Sequence, residues 1–300
     1  RDWSSDVCSS DLALVAACAT NPATGRRQIS LMSEAQEISI GQEQDLLVKK
    51  EMGLYNDAEL QKYVSDIGMQ LARLSERPQL PWHFAVVDEP AINAFALPGG
   101  YIYVTRGILP FLQDEAELAG VLGHEIGHVT ARHSAQQYTR QIGGQVGLIA
   151  LQILVPGSRP FGDLAAQGLG VLFLKYGRGD ELQADQLGTR YESAGGWDPA
   201  GVPGMLSTLG RLDEAAGEKR GVPNWLSTHP DPLSRVKEIE PQVAQIKAAA
   251  GSASGFRTDR ESLLRRIDGI VYGDSPEKGI TRGSTFLHPP LRFRIDFPTG

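Results

Sequence analysis

The stretch Gly123-His124-Glu125-Ile126-Gly127-His128 decides how this chain is read. It contains the pattern H-E-x-x-H. Leu118, Val121, Leu122, Ile126 and Val129 around it form an apolar stripe at helical spacing. On a helix, residues i and i+4 stand one above the other on the same face. His124 and His128 so placed can bind one Zn²⁺, and Glu125 beside them can take a proton from the attacking water. The same five positions also match by chance in helices with solvated histidines, so the motif needs support from elsewhere in the chain.

The helix itself is well specified. Asp114 precedes it, and Glu117 follows three residues later in an Asp-x-x-Glu form of the capping box. Gly123 and Gly127 each weaken a helix by about 1 kcal/mol relative to alanine. Their presence implies a close neighbour, either a substrate or backbone approaching the site, or plain helix–helix packing.

A catalytic zinc needs a third protein ligand and one open position. His133 lies nine residues after His124. The metzincin pattern needs a histidine one residue later and a glycine where Ala131 stands. His133 is therefore expected to be a polar helix residue or a partner outside the ligand set. The other candidate lies in Glu181-Leu182-Gln183-Ala184-Asp185, where helical spacing puts Glu181 and Asp185 on one face. Glu181 would be a carboxylate ligand. Asp185 would hydrogen-bond the far nitrogen of a ligand imidazole and fix its tautomer. Alone, the segment reads as a solvated acidic face; beside an H-E-x-x-H, the ligand reading is favoured.

At these residues a family resemblance emerges. An H-E-x-x-H followed some fifty residues later by E-x-x-x-D resembles the gluzincin arrangement. "GVLGHEIGHVTARH" and "GDELQADQLG" resemble metallopeptidase family 48. "INAFALPGGYIYVTRGIL" (Ile92 to Leu109) resembles that family's edge strand and the helix after it, and "STHPDPLSR" (Ser227 to Arg235) its H-P-x-x-x-x-R signature. "CATNPATGRRQISLMSEAQEISIG" resembles the start of its bacterial lipoprotein members. The resemblance runs from Cys18 to about Ala250.

The resemblance implies an α+β fold, mostly helical: a zincin-like metalloprotease domain with a small β-sheet and an H-E-x-x-H active-site helix. It implies one zinc per chain, held by His124, His128 and Glu181, with Glu125 as general base. A substrate peptide would lie extended along the edge strand, touching Asn93 and Ala94, while the Phe95 ring packs inward. His229 would be either a fourth ligand that silences the enzyme at rest or a donor to the transition state. Arg235 would hold the His229 loop or bind a substrate carbonyl. The implied substrates are unfolded or misassembled envelope proteins. The alternative is a periplasmic chaperone or assembly adaptor in which cleavage is secondary.

The N-terminus needs a separate reading. Leu12 to Ala17 is far shorter than the ~20 apolar residues of a membrane span. Val15-Ala16-Ala17-Cys18 resembles a bacterial lipobox, which implies lipidation at Cys18, a periplasmic location and an outer-membrane anchor. Residues 19–32 are then expected to be a flexible tether. Residues 1–12, "RDWSSDVCSSDL", lack the charged start of a signal peptide and resemble a translated sequencing adaptor, so they are set aside, Cys8 included. With Cys18 alone, no disulfide is expected.

Residues 33–250 are expected to form the metalloprotease domain, and residues 251–300 a C-terminal extension, itself truncated. In that extension Phe293, Ile295 and Phe297 alternate with charged residues, as a half-buried strand would. Hydrophobic content of 41% is enough for a core. A net charge of −7 gives no electrostatic case for nucleic-acid binding. Further helices are expected from Ser33 to Lys50, 60–74, 181–194, 199–214, 232–249 and 261–267. A strand is expected over 82–88 and a hairpin over 93–105. Two apolar segments, 141–155 and 164–174, are expected to pair as helices.

Overall fold

Ser33 starts the first helix, α1 (Glu34–Glu51), with a complete capping box: its side chain accepts from the Gln36 amide while the Gln36 side chain accepts from the Ser33 amide. The computed structural model describes residues 18–25, 27–140, 176–216, 225, 228–251, 255–274, 276 and 279–297. The apolar segments at 141–155 and 164–174 lie outside them, as do residues 1–17.

After α1 come α2 (Ala58–Arg73), capped by Asp57, and three strands: β3 (His83–Val87), β4 (Ala94–Leu97) and β5 (Tyr101–Thr105). Ahead of α1, β1 (Cys18–Thr20) and β2 (Arg27–Ile29) form a small antiparallel hairpin. The central sheet has the order β3-β5-β4, with β3 parallel and β4 antiparallel to β5. β4 is thus an edge strand. Its hairpin turns through Gly99 and Gly100, both at positive φ, and a Cβ on Gly99 would lie 2.6 Å from the Ile38 Cα in α1.

Next is α3 (Glu115–Thr130), which carries the H-E-x-x-H residues and is buried on every side. Such a helix is the centre of a domain rather than its surface. Among the described residues, the helices that follow include α4 (Arg178–Ala194), α5 (Gly201–Ala216), α6 (Pro232–Ala250) and α7 (Arg260–Ile267). The main core joins α2, the sheet, α3 and α4 through Leu60, Val64, Ile102, Val104, Leu118, Leu122 and Leu187. The expected class, α+β and mostly helical with a small sheet and an H-E-x-x-H helix, matches this architecture. Among the described residues no helix is long and apolar enough to cross a membrane.

Four local expectations need correction. The Asp114 cap forms, but the reciprocal arm differs: the Glu117 carboxylate accepts from the Gln113 amide at 2.9 Å, one residue earlier than a capping box requires. The described residues of 19–32 are tied down rather than loose. The Asn21 side chain is buried, folds its own turn by accepting from Ala23 and Thr24, and donates to the Ala131 carbonyl at the end of α3 at 2.9 Å. That carbonyl is one of the orphan acceptors every helix end presents.

The packed domain also continues past residue 250. Arg257 pairs by backbone with Trp197 and lays its guanidinium 4.0 Å from that indole; Thr258 O accepts from the Ala116 amide; Leu263 of α7 is fully buried in the main core. Finally, β6 (Ile280–Arg282), β7 (Thr285–His288) and β8 (Phe293–Asp296) form an antiparallel sheet. The strand at Phe293 exists as expected, but its apolar residues are exposed rather than half-buried, because β8 is an edge strand with no described layer over it.

Candidate metal centre

The site is assembled by two helices that touch backbone to backbone. A Cβ on Gly127 would lie 2.8 Å from the Ala184 carbonyl oxygen, and one on Gly123 would lie 3.1 Å from the Gly188 Cα. The two glycines therefore serve helix–helix packing, one of the two readings left open. Only this close approach of α3 and α4 lets a side chain as short as Asp185 reach an imidazole on the neighbouring helix.

The result is a convergence of donor atoms. His124, His128, Glu181 and His229 each turn one ligand atom toward a common point, all within 4.8 Å of one another, and all four residues are buried. His124 Nε2 lies 3.0 Å from His128 Nε2, and His229 Nδ1 lies 3.0 Å from Glu181 Oε1 and 3.3 Å from His124 Nε2. Sequence spacing alone relates only His124 to His128 and Glu181 to Asp185; the fold brings the two pairs together.

Hydrogen bonds behind the donors set their tautomers. Asp185 Oδ1 accepts from His124 Nδ1 at 2.9 Å, leaving a lone pair on His124 Nε2. His128 Nδ1 meets His133 Nδ1 at 3.0 Å, and His133 Nε2 meets Gln183 Oε1 at 2.8 Å. Because Gln183 Oε1 can only accept, His133 donates from Nε2 and accepts at Nδ1, so His128 donates from Nδ1. His128 Nε2 then also carries a lone pair. Two imidazole lone pairs and a carboxylate aimed at one buried point are donors of the kind a cation takes, and His229 Nδ1 stands among them at 3.0 Å from Glu181 Oε1. The donor set therefore fits a metal, and its N and O composition fits Zn²⁺.

The ionisation of the group agrees. Burial pushes the pKa of His128 well below the usual range, with His124 adding to the effect, so it is neutral as a ligand must be. Burial opposes ionisation of Asp185, but the Arg235 guanidinium and the His124 hydrogen bond outweigh it and pull its pKa down to about 2. Burial likewise opposes charge on Glu181, yet His229 and Arg235 lower its pKa. Burial raises the pKa of Glu125, only partly offset by His229 and His124. Glu125 Oε1 has no hydrogen-bond partner, and His229 Nε2 stands 3.7 Å from it.

The remaining expected residues fall as follows. Arg235 is fully buried. Its donors go to Asp185 at 2.7 and 2.6 Å and to Glu181 at 2.7 Å, the geometry of a group holding the site together rather than one facing a substrate. Asn93 lies immediately before β4, buried, with its side-chain oxygen unpartnered; Ala94 begins the strand. Cys18 opens β1, remote in sequence from these elements.

Three residues escaped the sequence reading: Gln183, which orients His133; Tyr176, whose ring lies 4.1 Å from that of His128; and Trp225, stacked on His229 at 4.7 Å. Gln183 sits inside the quoted Glu181–Asp185 string and Trp225 four residues before His229, so proximity to a candidate metal donor was the available signal.

The pattern of Peptidase family M48 matches residues 58–243, which include α2, the central sheet, α3, α4 and most of α6. The chain is 32% identical over 241 residues to the beta-barrel assembly-enhancing protease of Escherichia coli, covering 76% of this chain and 48% of that protein. It is 34% identical over 196 residues to the mitochondrial metalloendopeptidase OMA1 of Arabidopsis thaliana, covering 64% of this chain and 38% of that one. Identity to the Schizosaccharomyces pombe OMA1 is 32% over 236 residues, covering 75% and 67%. The chain thus spans about half the length of the Escherichia coli relative it matches.

Proposed function

Because the chain belongs to peptidase family M48, we propose that it is a zinc-dependent endopeptidase that cuts unfolded or misassembled proteins of the cell envelope. The observation that carries the proposal is the buried meeting of His124, His128 and Glu181 beside a Glu125 oxygen that has no hydrogen-bond partner. In this reading those three residues hold one zinc per chain. A zinc ion bound there supplies Lewis acidity, which polarises a carbonyl and lowers the pKa of water.

The chain's own residues do the rest. Glu125 Oε1 accepts the proton of the attacking water and returns it to the leaving amine; its burial keeps it a stronger base than a solvated carboxylate. Asp185 and His133 hold the two imidazoles in the ligating tautomer. Arg235 is a positioning residue that neutralises Asp185 and Glu181. The edge of β4 offers backbone groups to an extended peptide, and the free Asn93 Oδ1 beside it can accept a substrate N–H. Of the two roles for His229, the position of Nδ1 within the donor set supports the resting ligand, and catalysis then requires it to leave, since a working zinc site keeps one position open.

The substrate class follows the name of the Escherichia coli relative, which ties that protein to β-barrel assembly. With it we propose a periplasmic lipoprotein anchored to the outer membrane through Cys18, on the strength of the Val15–Cys18 pattern. The test is a casein digest on protein of measured zinc content, with and without a chelator, alongside Glu181→Gln. Digestion that stops with chelator and returns with zinc, together with a fall in zinc content in Glu181→Gln, supports the proposal. Zinc content unchanged in the variant, or digestion indifferent to chelator, overturns it.

A further inference from the structure

A peptide that adds to β4 must use the side of the strand facing away from β5, and the hydrogen bonds say which residues present that side. The Thr105 amide donates to Asn93 O at 3.0 Å, and the Asn93 amide donates to Thr105 Oγ1 at 3.0 Å. Asn93 therefore turns both backbone groups toward β5. Direction alternates along a strand, so Ala94 and Ala96 turn theirs to the outer side, where no described strand pairs; Ile92 lies in the bend that leads into the strand.

The carbonyl just ahead of these positions is taken. Ile92 O accepts from the backbone amide of Trp225 at 3.2 Å. The same residue stacks its indole on His229, with ring centroids 4.7 Å apart and planes 24° from parallel, and carries the Arg235 guanidinium 5.6 Å from its ring. The His229 amide donates to Trp225 O at 2.8 Å, as does Thr228 Oγ1 at 2.9 Å. Trp225 and His229, both buried, are thus tied to each other by a backbone hydrogen bond and a ring stack, with Trp225 bonded to the substrate edge and His229 to the metal donor set.

We infer that Trp225 is a positioning residue that couples the two: its amide fills the Ile92 seat on the edge while its ring holds His229 among the metal donors. A peptide strand long enough to pair through Ile92 takes the seat, and Trp225 and His229 leave their places with it. A peptide that pairs only at Ala94 and Ala96 leaves both residues in place. The edge thereby selects long, extended, unfolded segments over short peptides. The inference rests on the resting-ligand reading of His229 proposed above.

Cobalt(II) in place of zinc gives a visible spectrum that reports the ligand set independently of turnover. In full-length cobalt-loaded protein, adding a long extended peptide with a reduced, uncleavable amide bond should shift the spectrum. Trp225→Ala should show the shifted spectrum without peptide and a raised basal casein rate, by roughly up to tenfold for the loss of one aromatic pair. Trp225→Phe, which keeps a ring to stack, should resemble the parent. Should Trp225→Ala not fold, Trp225→Leu fills the volume without an aromatic face and takes its place. A folded, cobalt-replete variant with the parent's spectrum and rate would overturn the coupling, as would a bound peptide that leaves the parent's spectrum unmoved. His229→Ala separates the two levels. If it leaves the peptide-free spectrum unchanged, His229 is no resting ligand and the premise fails; if it shifts the spectrum while the Trp225 variants do not, only the coupling fails.

Discussion

His133 Nδ1 stands 3.0 Å from His128 Nδ1, and this contact between two buried imidazoles fixes which nitrogen of His128 faces the metal donor set. His133 can accept there only because its own Nε2 is committed to Gln183 at 2.8 Å. The chain His128–His133–Gln183 does for one imidazole what Asp185 and Arg235 do for the other.

Replacing His133 with Phe keeps the ring volume and removes the acceptor. We expect His133→Phe to bind zinc about 10–100-fold more weakly, the usual cost of losing a partner behind a metal ligand. Competition with a calibrated chelator measures this. Unchanged affinity would mean that His128 orients itself without His133.

The α3–α4 contact makes a second expectation. Gly127→Ala improves helix propensity by about 1 kcal/mol. Its new methyl, however, would meet the Ala184 carbonyl oxygen and Cα at 2.8 and 3.0 Å, both backbone atoms that cannot rotate away. Overpacking of this kind costs about 1–3 kcal/mol. The variant should therefore be less stable in denaturant and, with α4 pushed back, should lose zinc affinity as Glu181 withdraws. A Gly127→Ala protein of equal or greater stability would show that the helices have slack at this point.

A third expectation concerns pH. Burial raises the pKa of Glu117 to about 7 from an ordinary 4.5, more than the Gln113 amide lowers it. Between those values the folded chain holds a proton that the unfolded chain has released, so this group's contribution to stability falls as pH rises through the window and then levels off. The buried carboxyl of Glu192, raised well above its ordinary value, adds a contribution of the same sign. Glu117→Gln keeps an acceptor for Gln113 and removes the titration. Denaturation midpoints of parent and variant, followed from about pH 5 to 8, should drop less steeply in the variant. Parallel profiles would contradict it.

These residues also explain what could be read from sequence and what could not. The pairs His124/His128 and Glu181/Asp185 were legible because each lies within one helix, where i and i+4 coincide whatever the fold does. Their meeting was implied only by family resemblance, since it depends on how closely Gly127 and Ala184 approach. Gln183 and Trp225 were missed for that reason: their partners lie on other elements, and nothing in local periodicity marks them. Asn21 looked like part of a flexible turn because Asn-Pro-Ala-Thr-Gly is turn composition, yet a turn can dock as firmly as a helix when its side chain satisfies a buried carbonyl such as that of Ala131. The β8 strand was recognisable by alternation, but alternation does not reveal whether anything covers the apolar side.

The central claim is that Glu125 is the base of a zinc endopeptidase and does nothing else that the fold requires. Glu125→Gln preserves shape and size at a residue whose Oε1 makes no hydrogen bond in the folded chain. Zinc content and casein digestion, measured together on the purified parent and Glu125→Gln proteins, test it most directly. The account predicts equal zinc in both and digestion slower by about 10²–10⁴-fold in the variant, the contribution of a positioned proton-transfer group. Equal zinc with digestion at the parent's rate would contradict it.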